Sequence, residues 1–163
     1  MRKILVVAAV MALAFAASAC NVEVNSPLTP TTPPTTPPAQ SSVVVVQTVP
    51  GEGATLRASK ENVTATLEYG VSQADLDEAA RTGSTIYAMA CLSIDGVTTI
   101  PVCTYRQASG AYGRVELLLS PVSPGETKFI ISGLGIRPSG GGSSSEKQIA
   151  RGIKPIVFNW VSP

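Results

Sequence analysis

The residues of this chain that could carry covalent or metal chemistry are its three cysteines, Cys20, Cys91 and Cys103. A thiolate can act as a nucleophile, as a metal ligand or as one half of a cross-link. The chain contains no histidine, which removes Ser-His-Asp triads, Cys-His pairs and the commonest ligand of transition metals. A zinc ion at Cys91 and Cys103 would lack further ligands. We therefore expect no catalytic site, no metal site and no cofactor.

The acidic residues Asp75, Asp77 and Glu78 form the densest group of carboxylates in the sequence. A calcium site needs six to eight oxygen ligands, usually on a loop that turns at a glycine. On a helix these carboxylates would instead lie in the first turns, where the helix macrodipole stabilises negative charge. The sequence therefore favours a solvated helix start over a calcium site.

A glycine-rich stretch, GLGIRPSGGGSSSEKQIARG, runs from residue 133 to residue 152. It lacks the Gly-Lys-Ser/Thr ending of a phosphate-binding loop, and it predicts a long exposed loop with one helical turn ending at Arg151. Long loops are often functional, so Arg137, Lys147 and Arg151 are candidates for a contact surface; the alternative is a flexible connector. The net charge of +1 favours no nucleic-acid partner.

The start of the chain has the pattern of an export signal. Arg2 and Lys3 precede an apolar run, Ile4 to Ala16, which is too short to span a bilayer, since a spanning helix needs about 20 apolar residues. The small residues of Ala17-Ser18-Ala19 suit cleavage by a signal peptidase. We therefore predict a signal peptide over residues 1–19, with Cys20 as the first residue after the cut.

The tetrapeptide Ala17-Ser18-Ala19-Cys20 resembles the lipobox of bacterial lipoproteins, although Leu is commonest where this chain has Ala17. The resemblance implies that the Cys20 sulfur carries a diacylglycerol and that its amino group is acylated, for example with palmitate. Such a lipid would anchor the chain in the cell envelope, because two or more acyl chains hold a protein stably in a membrane. In such lipoproteins, Asp directly after the cysteine often favours retention in the inner membrane. This chain has Asn21 there, which favours the outer membrane. Ordinary cleavage, giving a free exported protein, is the alternative.

The assignment of Cys20 to the lipid predicts a disulfide bond between the two remaining cysteines. If Cys20 carries lipid, Cys91 and Cys103 are left as a pair in an oxidising compartment, where disulfide bonds persist. Direct pairing in a hairpin requires a loop of about Asp95 to Thr99, with Ile94 opposite Ile100. A cross-link that closes about 13 residues stabilises the fold by roughly 3 kcal/mol. The alternative is two buried free thiols.

Residues 20–41 contain the anchor cysteine and a Pro/Thr-rich linker in which Thr-Thr-Pro-Pro occurs twice in succession. Proline fixes φ and donates no backbone hydrogen bond, so this stretch is expected to be extended and solvated. At about 3.1 Å per residue it would act as a stiff spacer of up to ~60 Å. Recognition of the prolines by a partner and glycosylation of the threonines are alternatives.

Residues 42–163 have the length of one domain and show alternation of apolar and polar residues with a period of two. Turn signals such as Asp95-Gly96 and Pro124-Gly125 separate the runs. These runs predict an all-β, antiparallel, immunoglobulin-like sandwich of about seven to eight strands. The runs are SVVVVQTV, NVTATLEY, STIYAMACLSI, GRVELLLS, TKFIISG and KPIVFNWV.

One segment, VSQADLDEAARTG, predicts a short helix inserted between strands. Ser72 can cap its start with Asp75 as the reciprocal partner of a capping box, and Val71 with Leu76 can form a hydrophobic staple. Gly83 lies where a helix would end.

The sequence therefore predicts a non-catalytic binding or structural module at the cell envelope, which recognises another envelope protein or a polysaccharide through loops and strand edges. A carbohydrate-binding module is the first alternative, and it would present Tyr105, Tyr112 or Trp160 in a flat exposed cluster. Trp160 shares a strand face with Phe158 and Ile156, which favours core packing. An envelope enzyme without histidine is the second alternative.

Overall fold

The computed structural model describes residues 36–97, 102–142 and 145–163. The predicted signal peptide, Cys20 and the linker as far as residue 35 lie outside the described residues. The described part of the chain forms eight β-strands and one helix. In chain order they are β1 (Ser42–Val49), β2 (Thr55–Arg57), β3 (Val63–Gly70), α1 (Gln73–Thr82), β4 (Thr85–Ser93), β5 (Val102–Gln107), β6 (Tyr112–Leu119), β7 (Gly125–Arg137) and β8 (Lys147–Val161).

The strands form two sheets that pack against each other. The smaller sheet has the order β1-β3-β6, and the larger sheet has the order β2-β8-β7-β4-β5. Neighbouring strands are antiparallel except β2 and β8, which are parallel. The chain passes from the smaller sheet to the larger between β1 and β2. This arrangement confirms the predicted all-β sandwich. The order β1-β3-β6, which faces β8-β7-β4, is the order that immunoglobulin-like sandwiches have for their strands A-B-E and G-F-C.

Alternating side chains fill the space between the sheets, as the period-two pattern predicts. Val63, Ala65, Leu67 and Tyr69 of β3 are buried, whereas the polar residues that alternate with them are half-buried. In β8, Ile156, Phe158 and Trp160 all lie in the core, which confirms the sequence prediction for that strand. A fully buried Leu or Phe side chain stabilises the fold by about 1.5–3 kcal/mol relative to an exposed one.

Helix α1 begins and ends where the sequence predicts. The Ser72 side chain accepts a hydrogen bond from the Asp75 backbone N–H, and Gly83 has a left-handed φ of 62°. Val71 is fully buried, and Leu76 packs against the core. The second hydrogen bond of the predicted capping box is replaced by another. The Ser72 backbone N–H donates to the Ser41 hydroxyl at 2.9 Å rather than to the Asp75 carboxylate.

The predicted long loop over residues 133–152 is wrong. Residues 133–137 belong to β7 and residues 147–152 to β8, and the helical turn predicted to end at Arg151 is strand. The glycines that suggested a loop make room for other groups. A Cβ at Gly133 would lie 2.8 Å from the end of the Met89 side chain. A Cβ at Gly135 would collide with the Glu146 carboxylate.

Candidate binding cleft

A cleft of about 400 Å³ opens at one end of the sandwich. Three segments that are distant in the sequence form its walls: the end of β4 with the turn after it, the β6–β7 loop with the start of β7, and Trp160 near the end of β8. The lining residues are Leu92, Ser93, Ile94, Asp95, Pro121, Val122, Ser123, Pro124, Gly125, Glu126, Thr127 and Trp160.

Local hydrogen bonds hold the turn that follows β4. The Ser93 hydroxyl donates to the Val97 carbonyl oxygen at 2.8 Å and accepts from the Gly96 backbone N–H at 3.1 Å. The Asp95 carboxylate accepts from the Val97 backbone N–H at 2.8 Å. This wall of the cleft is therefore an ordered turn, and it presents Ile94 with about half of its surface exposed.

The opposite wall, the β6–β7 loop, is attached to the turn after β2. The Ser59 backbone N–H donates to the Pro121 carbonyl oxygen and its hydroxyl donates to the Val122 carbonyl oxygen, each at 3.0 Å. Ser59 has a positive φ of 61°, a conformation that non-glycine residues adopt uncommonly. These bonds hold Val122 with its side chain in solvent at 76% exposure, which is the largest exposure among the described large apolar residues.

Trp160 forms the inner wall of the cleft. Its side chain is 4% exposed and packs against Phe158 with 6.4 Å between the ring centroids. The indole Nε1 is buried and has no hydrogen-bond partner among the described residues. A buried indole N–H normally finds an acceptor. Trp160 therefore contributes apolar surface to the cleft, and its N–H lies buried within the domain.

Charge in the cleft has one sign. The charged residues of the lining are Asp95 and Glu126, and no lysine or arginine is among them. Glu126 is itself half-exposed and lies 3.4 Å from Lys128. Because Lys128 offsets the charge of Glu126 and Asp95 is bonded within its own turn, the lining contributes to binding mainly through its apolar surface.

The three basic residues that the sequence analysis singled out each have partners within the domain, and a contact surface formed by them stays a prediction. Arg137 ends β7, and its guanidinium lies 4.7 Å from the ring centroid of Tyr87 and 5.0 Å from that of Tyr105. Its Nη2 donates to Glu146 Oε2 at 2.6 Å, and its buried Nε has no partner among the described residues. Arg137 therefore stabilises the outer face of the larger sheet.

Lys147 and Arg151 also bind other parts of the domain. Lys147 Nζ lies 2.5 Å from Glu78 Oε2, which ties the start of β8 to α1. Arg151 Nη2 donates to the Gly96 carbonyl oxygen at 3.2 Å, which ties β8 to the turn after β4. Sequence reasoning identified three residues with real interactions, but their partners lie within the domain.

Cys91 and Cys103 are directly opposite each other on β4 and β5, with Sγ atoms 2.03 Å apart, the length of a disulfide bond. Cys91 is fully buried on the outer side of the larger sheet. The bond joins neighbouring strands of one sheet and does not join the two sheets. The predicted pairing of Ile94 with Ile100 lies outside the described residues, because residues 98–101 are not described.

The aromatic residues proposed for a carbohydrate platform lie apart. Trp160 is buried in the cleft wall, and Tyr105 is 38% exposed beneath Arg137. Tyr112 is half-buried, and its hydroxyl donates to the Thr36 carbonyl oxygen at 2.9 Å. The flat exposed cluster that would favour carbohydrate binding is not formed by these three residues.

Sequence reasoning missed the cleft. Its only local signal is SPVSPG, where Val122 stands between two prolines in a turn that otherwise carries small residues. In the described ranges, no group of three or more acidic or cysteine side chains is placed to hold a metal ion. None of the helices described is long and apolar enough to cross a membrane.

Known protein families and curated proteins offer no counterpart. No family model matches the chain, and the search of curated proteins finds no significant match. The functional argument therefore depends on the chain's own residues.

Proposed function

We propose that this chain is an exported cell-envelope lipoprotein whose β-sandwich is a non-catalytic binding module, with the cleft beneath Val122 and Ile94 as its ligand site. The observation that carries the proposal is the exposure of Val122 at 76% on a loop held by hydrogen bonds from Ser59. An ordered loop that holds a large apolar side chain in water favours contact with another apolar surface.

The ligand that suits the cleft is an apolar segment of another envelope protein. The volume of about 400 Å³ lies in the range of small ligand sites and accommodates one or two side chains. The apolar lining would bury those side chains.

The proposed anchor is a lipid on Cys20, attached after removal of residues 1–19. Its support is the sequence alone: a basic start, a short apolar run, and small residues before the cysteine. The pairing of Cys91 with Cys103 agrees with an oxidising compartment. We place the protein at the outer membrane on the basis of Asn21.

Two measurements test the anchor. Cys20→Ser is expected to abolish incorporation of labelled palmitate and to move the protein from the membrane to the soluble fraction. Palmitate labelling that persists in this variant, or unchanged membrane partitioning, would contradict lipid attachment at Cys20.

Site-specific cross-linking tests the cleft. A photo-reactive residue at position 122, in the full chain in its own envelope, is expected to give one cross-linked partner. The matched control is a photo-reactive residue at position 44, because Val44 is also exposed, at 52%, but lies on the smaller sheet. Adding Ile94→Glu should remove the cross-link at 122. The same products from positions 122 and 44, or persistence with Ile94→Glu, would refute a site in the cleft.

A further inference from the structure

The last residues of the Pro/Thr-rich linker are bound to the domain at the end opposite the cleft. Tyr112 Oη donates to the Thr36 carbonyl oxygen at 2.9 Å. A Cβ added at Gly70 would lie 3.1 Å from Pro38 Cγ and 3.2 Å from Tyr112 Cε1. Gly70, Tyr112 and the neighbouring Ser42 thus form a shallow groove, the linker groove, that receives a proline directly against backbone.

A second attachment follows at Ser41, three residues after Pro38. The Ser41 hydroxyl donates to Asp75 Oδ2 at 2.5 Å and accepts from the Ser72 backbone N–H at 2.9 Å. Ser41 therefore joins the cap of α1, and residues 36–41 are held at both ends. Pro37 and Pro38 between these points are half-buried, although the sequence predicts a solvated linker.

The position of the linker groove is defined by β3. This strand starts at Val63, opposite Leu119 and next to the loop that lines the cleft, and it ends at Gly70, opposite Tyr112. Eight strand residues span about 24 Å at ~3.4 Å per step. The linker groove and the cleft thus lie at opposite ends of the sandwich.

We propose that the linker groove is a polyproline-binding surface whose resident occupant is the chain's own segment Thr36-Pro37-Pro38, and that it holds the end of the linker against the domain. Polyproline segments suit this task, because they are already extended and lose little conformational entropy when an aromatic surface binds them. Gly70 allows the close approach, and Tyr112 supplies the aromatic ring and a hydrogen bond to a carbonyl that the proline-rich backbone leaves free.

A spin label tests the docking. Thr36 is exposed and binds Tyr112 through its backbone carbonyl, so in the full chain with Cys20→Ser, Thr36→Cys provides a single free thiol at the groove, because Cys91 and Cys103 are bonded. We expect a restricted nitroxide spectrum in this parent chain. Tyr112→Phe, which removes only the hydroxyl, and Gly70→Ala, which inserts a methyl group beneath Pro38, are each expected to make the label mobile.

Two control variants match these changes. Tyr105→Phe removes a tyrosine hydroxyl on the other sheet, and Gly51→Ala adds a Cβ that would meet nothing within 4 Å; both should leave the spectrum restricted. A mobile label in the parent chain would overturn the proposal, as would a restricted label in Tyr112→Phe. Because the tested chain carries no lipid, these results are independent of whether Cys20 is the membrane anchor.

Discussion

Arg137 and Glu146 form an ion pair across the turn between β7 and β8, with 2.6 Å between Nη2 and Oε2. Their side chains are only 20% and 11% exposed, in contrast to the pair between Arg114 and Glu68, at 69% and 42%. The inner pair is therefore the one in which loss of a partner leaves a charge without compensation from water.

Glu146→Gln is expected to lower the free energy of unfolding by about 1–3 kcal/mol, because the guanidinium stays partly buried against Tyr87 while its charged partner is lost. The measurement is urea denaturation followed by circular dichroism. Glu68→Gln is the matched control and should cost less than about 1 kcal/mol, as exposed pairs do. Equal losses in the two variants would contradict the structural role assigned to Arg137.

The bond between Cys91 and Cys103 is expected to make the intact domain lighter by two hydrogens than its reduced form, in a mass measurement without reductant. Reduction should lower the stability of the wild-type chain by roughly 3 kcal/mol, since the bond closes about 13 residues. A Cys91→Ala/Cys103→Ala double variant serves as the control and should not respond to reductant. Complete alkylation of both thiols in unreduced protein would exclude the disulfide.

Gly152→Ala is expected to destabilise the domain by about 1–3 kcal/mol. A Cβ at this position would lie 2.6 Å from the Val43 carbonyl oxygen and 2.7 Å from Ser132 Oγ, so β1 or β8 must shift. Gly51→Ala, where the same methyl group enters open space, controls for the general effect of replacing glycine. A thermal unfolding midpoint for Gly152→Ala equal to that of Gly51→Ala would show that β1 and β8 do not pack as closely as described.

Local signals in the sequence predicted the elements that depend on local physics. Ser72 and Gly83 mark the ends of α1 because a helix end is satisfied by its own neighbours in the chain. Val63 and Leu67 indicate the buried face of β3 because strand side chains alternate strictly.

The sequence did not predict the features that depend on contacts between distant segments. Gly133 and Gly135 suggested a loop, but they are glycines because Met89 and Glu146 lie over them. The cleft joins Trp160 to Val122 and Ile94, and nothing in the sequence near any one of them indicates the other two. The contact of Pro38 with Gly70 likewise joins a proline-rich stretch to the end of a strand.

The passage of the chain from β1 in one sheet to β2 in the other has a mechanical consequence. Tension applied at Ser42 acts along the axis of β1, whose hydrogen bonds to β3 run across that direction. Those bonds are then loaded together rather than one at a time. A force along β1 would therefore meet resistance from all of its hydrogen bonds to β3 at once.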